Sequence, residues 1–353
     1  MAQVLSRGFS PQRRRLAMAL PLLGAGVWSA GTWAAAPAAE VKEPYWRTSR
    51  ALMGTQVDVA VAGADGAALR RATDLAFAQM QRLEQLMSRY RPDSVVARIN
   101  HAAGIAPVRV PPEVMAVLRS AQQLAAATGG AFDATVGVFK GWSFAPGATA
   151  MPTDRELARQ RPLVGARGLV LDPRAGTAFL ARRGMALDLG GVAKLPILEA
   201  GMQVLRANGV DHALVNGGGD VLTLGQWQGR PWRVGLRDPR APERLLGRVE
   251  VEGPAVVASS GDYERCFFQD GERMHHVLNP RTGRPATGVH GVSLVARDVA
   301  AVNGLGTALM VQGLAAGQAL AERRPDLPLL MAGADGTLWQ SGAMAALLRP
   351  MAG

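Results

Sequence analysis

Val57, Val59 and Val61 alternate with polar or small residues and share one face of a strand that Gly63 closes. The spacing then changes from two to three and four. Leu69, Ala72, Ala76, Met80, Leu83 and Met87 make one apolar stripe, which predicts a helix from about Ala67 to Met87. A second helix is expected after Pro111-Pro112, stopping at Gly129-Gly130, because proline suits a helix start and glycine a helix end. The stretch from Pro146 to Pro162 reads as a loop and as a boundary between lobes. Beyond it, 169–172 and 177–180 read as a hairpin turning through Pro173-Arg174-Ala175-Gly176. A helix from near Ala193 to Asn208-Gly209 follows. Short strands are expected at 213–216, 221–224, 232–236, 247–251 and 255–259, then helices at 299–311 and 314–323. Strands in runs with helices outside them predict an α+β fold with mixed, largely antiparallel sheets covered by helices.

The N-terminal residues stand apart from this pattern. Arg13-Arg14-Arg15 precede an apolar run from Leu16 to Trp33, and small residues follow, ending in Ala36-Pro37-Ala38. This is the form of an export signal over 1–38, and consecutive arginines ahead of a modest apolar stretch fit the twin-arginine route. Left uncleaved, the same run is close to the length of a membrane anchor. The remainder, 39–353, is long enough for one large domain, and 48% hydrophobic content supplies a core. The net charge is +11, but the basic residues are scattered and no nucleic-acid motif accompanies them, which argues against nucleic-acid binding. Cys266 is the sole cysteine, so packing rather than a disulfide must hold an exported chain together.

Several segments interrupt the packed elements with glycines, acids or histidines. They are Met53-Gly54-Thr55, Ser88-Arg89-Tyr90, Gly129-Gly130-Ala131-Phe132-Asp133-Ala134-Thr135-Val136-Gly137, Asp188-Leu189-Gly190-Gly191-Val192-Ala193-Lys194, and His275-His276-Val277-Leu278-Asn279-Pro280-Arg281-Thr282-Gly283-Arg284-Pro285. Two glycines let a backbone approach a ligand, and a strand that turns through glycines into a helix presents N–H groups to a phosphate. Each segment also has a plain reading: Gly-Gly as a helix cap, Asn216-Gly217-Gly218-Gly219-Asp220 and Asn279 to Gly283 as turns. His275 and His276 point to opposite faces of a strand, so at most one faces a site. His101, His212 and His290 have no metal-like spacing and read as structural.

Taken in order, these segments resemble the ApbE-type family of FAD:protein FMN transferases. Its members carry a Met-Gly-Thr start, an Ala-Phe-Asp segment after glycines, an Asp-Leu-Gly-Gly-Ile-Ala-Lys turn and a His-His-Ile-Leu-Asp-Pro-x-Thr-Gly segment. Thr307-Ala308-Leu309 resembles the family's last metal-binding helix, and the likeness runs from about Ala51 to Gly313. The resemblance implies a two-lobed single domain with a flavin cleft. It places flavin contacts on Met53, Tyr90, Ala131, Phe132, Asp133, Asp188, Lys194 and Val277. It places a divalent ion, usually Mg²⁺, on the Gly191 carbonyl, on Asn303 and on the Thr307 hydroxyl, with 303 and 307 expected on one helical face. The implied reaction moves FMN from FAD to a threonine of a client protein, such as a membrane electron-transfer subunit, and releases AMP. His276 is the candidate base or phosphate contact, since a neutral imidazole can serve either way. The expected location is periplasmic or otherwise exported, or tethered to the inner membrane if the signal stays.

The chain departs from the family pattern where Asn303 replaces a metal-binding Asp, where Asn279 replaces an Asp, and where Leu195-Pro196 replaces a Gly-aromatic pair. An amide brings no charge to a hard cation, which normally takes one or two carboxylates. An exported FAD-binding or delivery protein with weak or no transfer is therefore the second expectation. A metal-dependent FAD pyrophosphatase is the third.

Overall fold

The computed structural model describes residues 44–145 and 147–351, so the expected export signal lies outside the described residues. Its centre is an eight-stranded sheet in the order Tyr45–Leu52, Thr55–Ala62, His212–Gly217, Asp220–Leu224, Ala255–Gly261, Val289–Ala296, Leu329–Gly333 and Leu338–Gln340. Every pairing within it is antiparallel. Alternation along the strands explains its two buried faces. Val57, Val59, Val61, Val215, Val256 and Met331 enter the main core, while Val257 and Leu330 enter a second cluster on the opposite side. The α+β expectation holds, with antiparallel pairing dominant.

Helices Gly66–Met87, Pro112–Ala127, Lys194–Ala207 and Leu305–Gln312 contribute to the main core. The first starts where Asp65 accepts from the Ala67 and Ala68 N–H groups, 2.8 and 3.1 Å. Its expected stripe is buried throughout, with Phe77 added. Gly201 lets the third of these helices lie against it, for a Cβ there would sit 2.8 Å from the Met80 side chain. The opposite face of the sheet is covered by strands Trp232–Asp238, Ala241–Val251 and Leu348–Arg349.

The structure differs from the sequence expectations in three places. The strand Thr55–Ala62 is the second arm of a hairpin whose first arm is Tyr45–Leu52. The stretch expected to be a loop contains helix Asp154–Gln160, opened by a reciprocal Thr153/Glu156 cap. The helix expected from Val299 begins only at Leu305, because Gly304 is left-handed at φ 72°. Asn303 therefore stands in the turn ahead of the helix, and it does not share a helical face with Thr307.

Candidate functional site

The hairpin joining the first two strands turns on Met53 and Gly54, both with positive φ, 55° and 66°. That is the mirror-type turn whose twist suits a hairpin, and a methionine in it is strained by about 1 kcal/mol. Three hydrogen bonds hold it there. The Met53 N–H donates to Glu84 Oε1 at 2.7 Å, and Arg265 Nη2 donates to the carbonyls of Met53 and Gly54 at 3.0 and 3.2 Å.

Next to the helix end, Tyr90 is 77% exposed, a large ring left in solvent. The Arg89 guanidinium lies 5.3 Å from its centroid and bonds Asp188 Oδ2 at 2.6 Å. Asp188 also accepts from the Gly190 N–H at 2.8 Å, and its own N–H donates to the Ala134 carbonyl. Tyr90, Asp188 and the glycine turn are thus linked through Arg89.

Asp133 is used differently. Its Oδ1 accepts from the Thr135 N–H and hydroxyl, 2.8 and 2.6 Å, and its Oδ2 accepts from the Ala166 N–H at 2.8 Å. Both oxygens of this buried carboxylate are engaged inside the protein. Beside it, Phe132 packs close to Gly191: a Cβ on Gly191 would stand 3.0 Å from the ring and 3.5 Å from the Thr307 hydroxyl. The left-handed Gly304 brings the preceding turn to the same place, since its would-be Cβ lies 3.3 Å from the Gly191 carbonyl oxygen. Asn303, also buried, donates its amide N–H to the Val192 carbonyl at 3.0 Å. Gly191, Asn303 and Thr307 are therefore neighbours, assembled by the turn before the helix rather than by the helix itself.

Lys194 opens its helix, and its ammonium bonds Asp220 Oδ2 at 2.8 Å. Pro196 is tolerated because it falls in the first turn. Asp220 is buried and holds the Ser259 N–H with its other oxygen. The two histidines divide as the strand pattern requires. His275 is buried, and its Nε2 bonds the Ala286 carbonyl at 2.8 Å. That bond makes Nε2 the protonated nitrogen and leaves Nδ1 without a partner. His276 is open to solvent yet ringed by protein. Its pKa is pushed down to about 4 by the surrounding protein, then by the positive charge of Arg265 and, with His275 beside it, of Lys194. Repulsion by Arg265 and Lys194 favours neutral imidazole at pH 7. Val277 is buried in the main core, and its carbonyl accepts from Ala286 N–H.

Distant segments thus converge. The Met53 turn meets His276 through Arg265, His276 meets Lys194 through charge, and Lys194 continues the glycine turn that carries Asp188 and Gly191. Sequence reasoning missed Glu84, Arg265 and Asp262. Asp262 is buried and bonds Arg273 Nη1 at 2.6 Å. The available signal was the run Asp262-Tyr263-Glu264-Arg265, which places charges directly after a buried strand.

An antiparallel α+β fold whose glycine turn runs into a helix start presents backbone N–H groups of the kind a phosphate takes. Residues 53–331 match the sequence model of the ApbE family, and the chain belongs to that family. A FAD:protein FMN transferase of Klebsiella pneumoniae is 35% identical over 239 residues, covering 67% of this chain and 72% of that one. One from Treponema pallidum is 34% identical over 282 residues, covering 75% and 77%. Among solved structures, the ApbE protein of Thermotoga maritima superposes with a TM-score of 0.79 at 29% identity, covering 87% of this chain and all of that one. The flavin transferase ApbE of Vibrio cholerae gives 0.74 at 29% identity, with the same coverage.

Proposed function

We propose that this protein is an FAD:protein FMN transferase. The observation that carries the reading is the match to the family along 53–331, supported by the hydrogen bonds that tie the Met53 turn to Arg265 and Arg265 to His276. Met53 and Tyr90 offer a thioether and an exposed ring to the isoalloxazine. The main chain of Ala131-Phe132-Asp133, with Asp188 and Val277, would complete the flavin contacts, and the turn into Lys194 would meet the phosphates. His276, neutral at pH 7, takes the proton of the acceptor threonine hydroxyl as that oxygen attacks the FMN-side phosphorus; AMP leaves.

Among the described residues no group of three His, Cys, Asp or Glu is placed to hold a metal. The Gly191 carbonyl, the Asn303 amide oxygen and the Thr307 hydroxyl are nonetheless oxygens of the kind Mg²⁺ takes, on residues that the turn before the helix brings together. These residues would hold the ion together with the FAD phosphates, where it would neutralise charge on the pyrophosphate oxygens. We read the leader 1–38 as an export signal, which puts the protein in the periplasm or tethered to the inner membrane, with a membrane electron-transfer subunit as client. No helix among the described residues is long and apolar enough to cross a membrane.

The test is to incubate the protein with FAD, Mg²⁺ and a threonine-bearing acceptor peptide and to weigh the peptide. A gain of one FMN with release of AMP is expected. Free FMN and AMP without an adduct would replace transfer by hydrolysis. Bound FAD with no turnover would make the protein a carrier, a reading that the uncharged Asn303 favours. Tyr90→Ala should weaken FAD binding at least tenfold while changing stability by under about 0.5 kcal/mol, since its ring is in solvent. Fluorescence titration and a urea melt check both halves, and a stability loss without an affinity loss would remove Tyr90 from the flavin face.

A further inference from the structure

One residue outside the family segments described above touches two of them. Arg265 lies between the strands Ala255–Gly261 and Cys266–Gln269. Its side chain donates to the carbonyls of Met53 and Gly54, and its own carbonyl accepts the His276 N–H at 3.2 Å. On the far side of the turn, Glu84 takes the Met53 N–H. The strained methionine is thus clamped between a carboxylate and a guanidinium. Gly54 leaves room for the clamp, because a Cβ there would stand 2.5 Å from Arg265 Nη2.

We infer that Arg265 is a positioning residue that fixes the flavin-facing Met53 turn and His276 in one register. The clamp on the Met53 turn rests on geometry; its effect on flavin binding rests on the proposed flavin contact at Met53, and its kinetic consequences rest on the transferase reading. One guanidinium nitrogen, Nη2, holds both adjacent carbonyls, and a rigid planar guanidinium keeps that nitrogen in place better than the flexible stem of a lysine. The groups that bear on His276 are the cations Arg265 from its own neighbourhood and Lys194 from the helix start, with the neutral, titratable His275 beside it, and all three disfavour imidazolium. Removing Arg265 takes away one of them, so the imidazole gains its proton at higher pH.

The experiment uses the full chain and its Arg265→Met, Arg265→Lys and Gly54→Ala variants, with FAD, Mg²⁺ and acceptor peptide. Wild type should keep its kcat/KM well below pH 6.5, the usual histidine value. Arg265→Met should raise the FAD Kd about tenfold, the equivalent of one good charge-assisted hydrogen bond. It should also move the acid limb of kcat/KM to higher pH. Arg265→Lys and Gly54→Ala keep the charge, so each should raise the FAD Kd and leave the limb in place. A lowered melting temperature in Arg265→Met, with Kd and pH limb both unchanged, would show a merely structural arginine and overturn the inference. If Arg265→Met does not fold, an unchanged Kd in the other two variants overturns it equally. Absence of transfer by wild type would sink the transferase reading, while the Kd series would still decide the clamp.

Discussion

Asp133→Ala should lower the stability of the fold by about 3–5 kcal/mol, the scale on which buried groups lose their only partners. The carboxylate accepts three hydrogen bonds, two from Thr135 and one from the Ala166 N–H, and it is buried. Truncation leaves two backbone donors and a hydroxyl facing a cavity. The damage should spread, because the Thr135 hydroxyl also accepts the Gly165 N–H at 2.8 Å and so ties the same loop down. Asp133→Asn retains one acceptor oxygen but turns its NH₂ toward a donor, so about half the loss is expected. Urea melts followed by circular dichroism measure both variants. A midpoint for Asp133→Ala within error of wild type would mean that water replaces the carboxylate, and the internal role assigned to it would be wrong.

Asp133 also marks the limit of what the sequence reveals. The segment around it was legible as a ligand-facing break, because paired glycines followed by an acid interrupt a helical stripe. The partner of its Oδ2 was not legible, since the Ala166 N–H belongs to a turn with no pattern of its own. The same division runs through the fold. The stripe from Leu69 to Met87 gave its helix almost residue for residue, since every member faces the core. Strand Tyr45–Leu52 gave no signal: it is at the sheet edge, mostly exposed, and carries arginines where a central strand carries valines. Val299 to Gly304 has apolar content like a helix, yet one left-handed glycine delays the helix to Leu305. Arg265 escaped because its partners, Met53 and Gly54, are over two hundred residues away and present only backbone carbonyls. A run of charges read along the chain does not show which of them turns inward.

The largest ligand-dependent effect should come from Asn303→Asp. In the present chain the buried amide donates to the Val192 carbonyl at 3.0 Å, beside the Gly191 carbonyl and close to Thr307. An amide satisfies that carbonyl without any cation, so the turn is complete on its own. An aspartate cannot donate. Its carboxylate would face the Val192 carbonyl in a buried place, at a cost of about 2–4 kcal/mol when nothing positive is near. Mg²⁺ held at the proposed site would reverse the sign by taking the carboxylate as a ligand. The variant should therefore melt several degrees below wild type in EDTA, and Mg²⁺ with FAD should recover most of that difference while shifting wild type much less. At low Mg²⁺ the variant should also transfer more FMN to the acceptor peptide than wild type, because its carboxylate would give the ion a charge that in wild type would come from FAD alone. Thr307→Ala, added to Asn303→Asp, should shrink the Mg²⁺ shift. Melting curves across a Mg²⁺ titration separate the possibilities without reference to turnover. Equal Mg²⁺ shifts in both proteins would place the ion elsewhere, and a variant that melts with wild type in EDTA would show that the amide bond to Val192 contributes nothing.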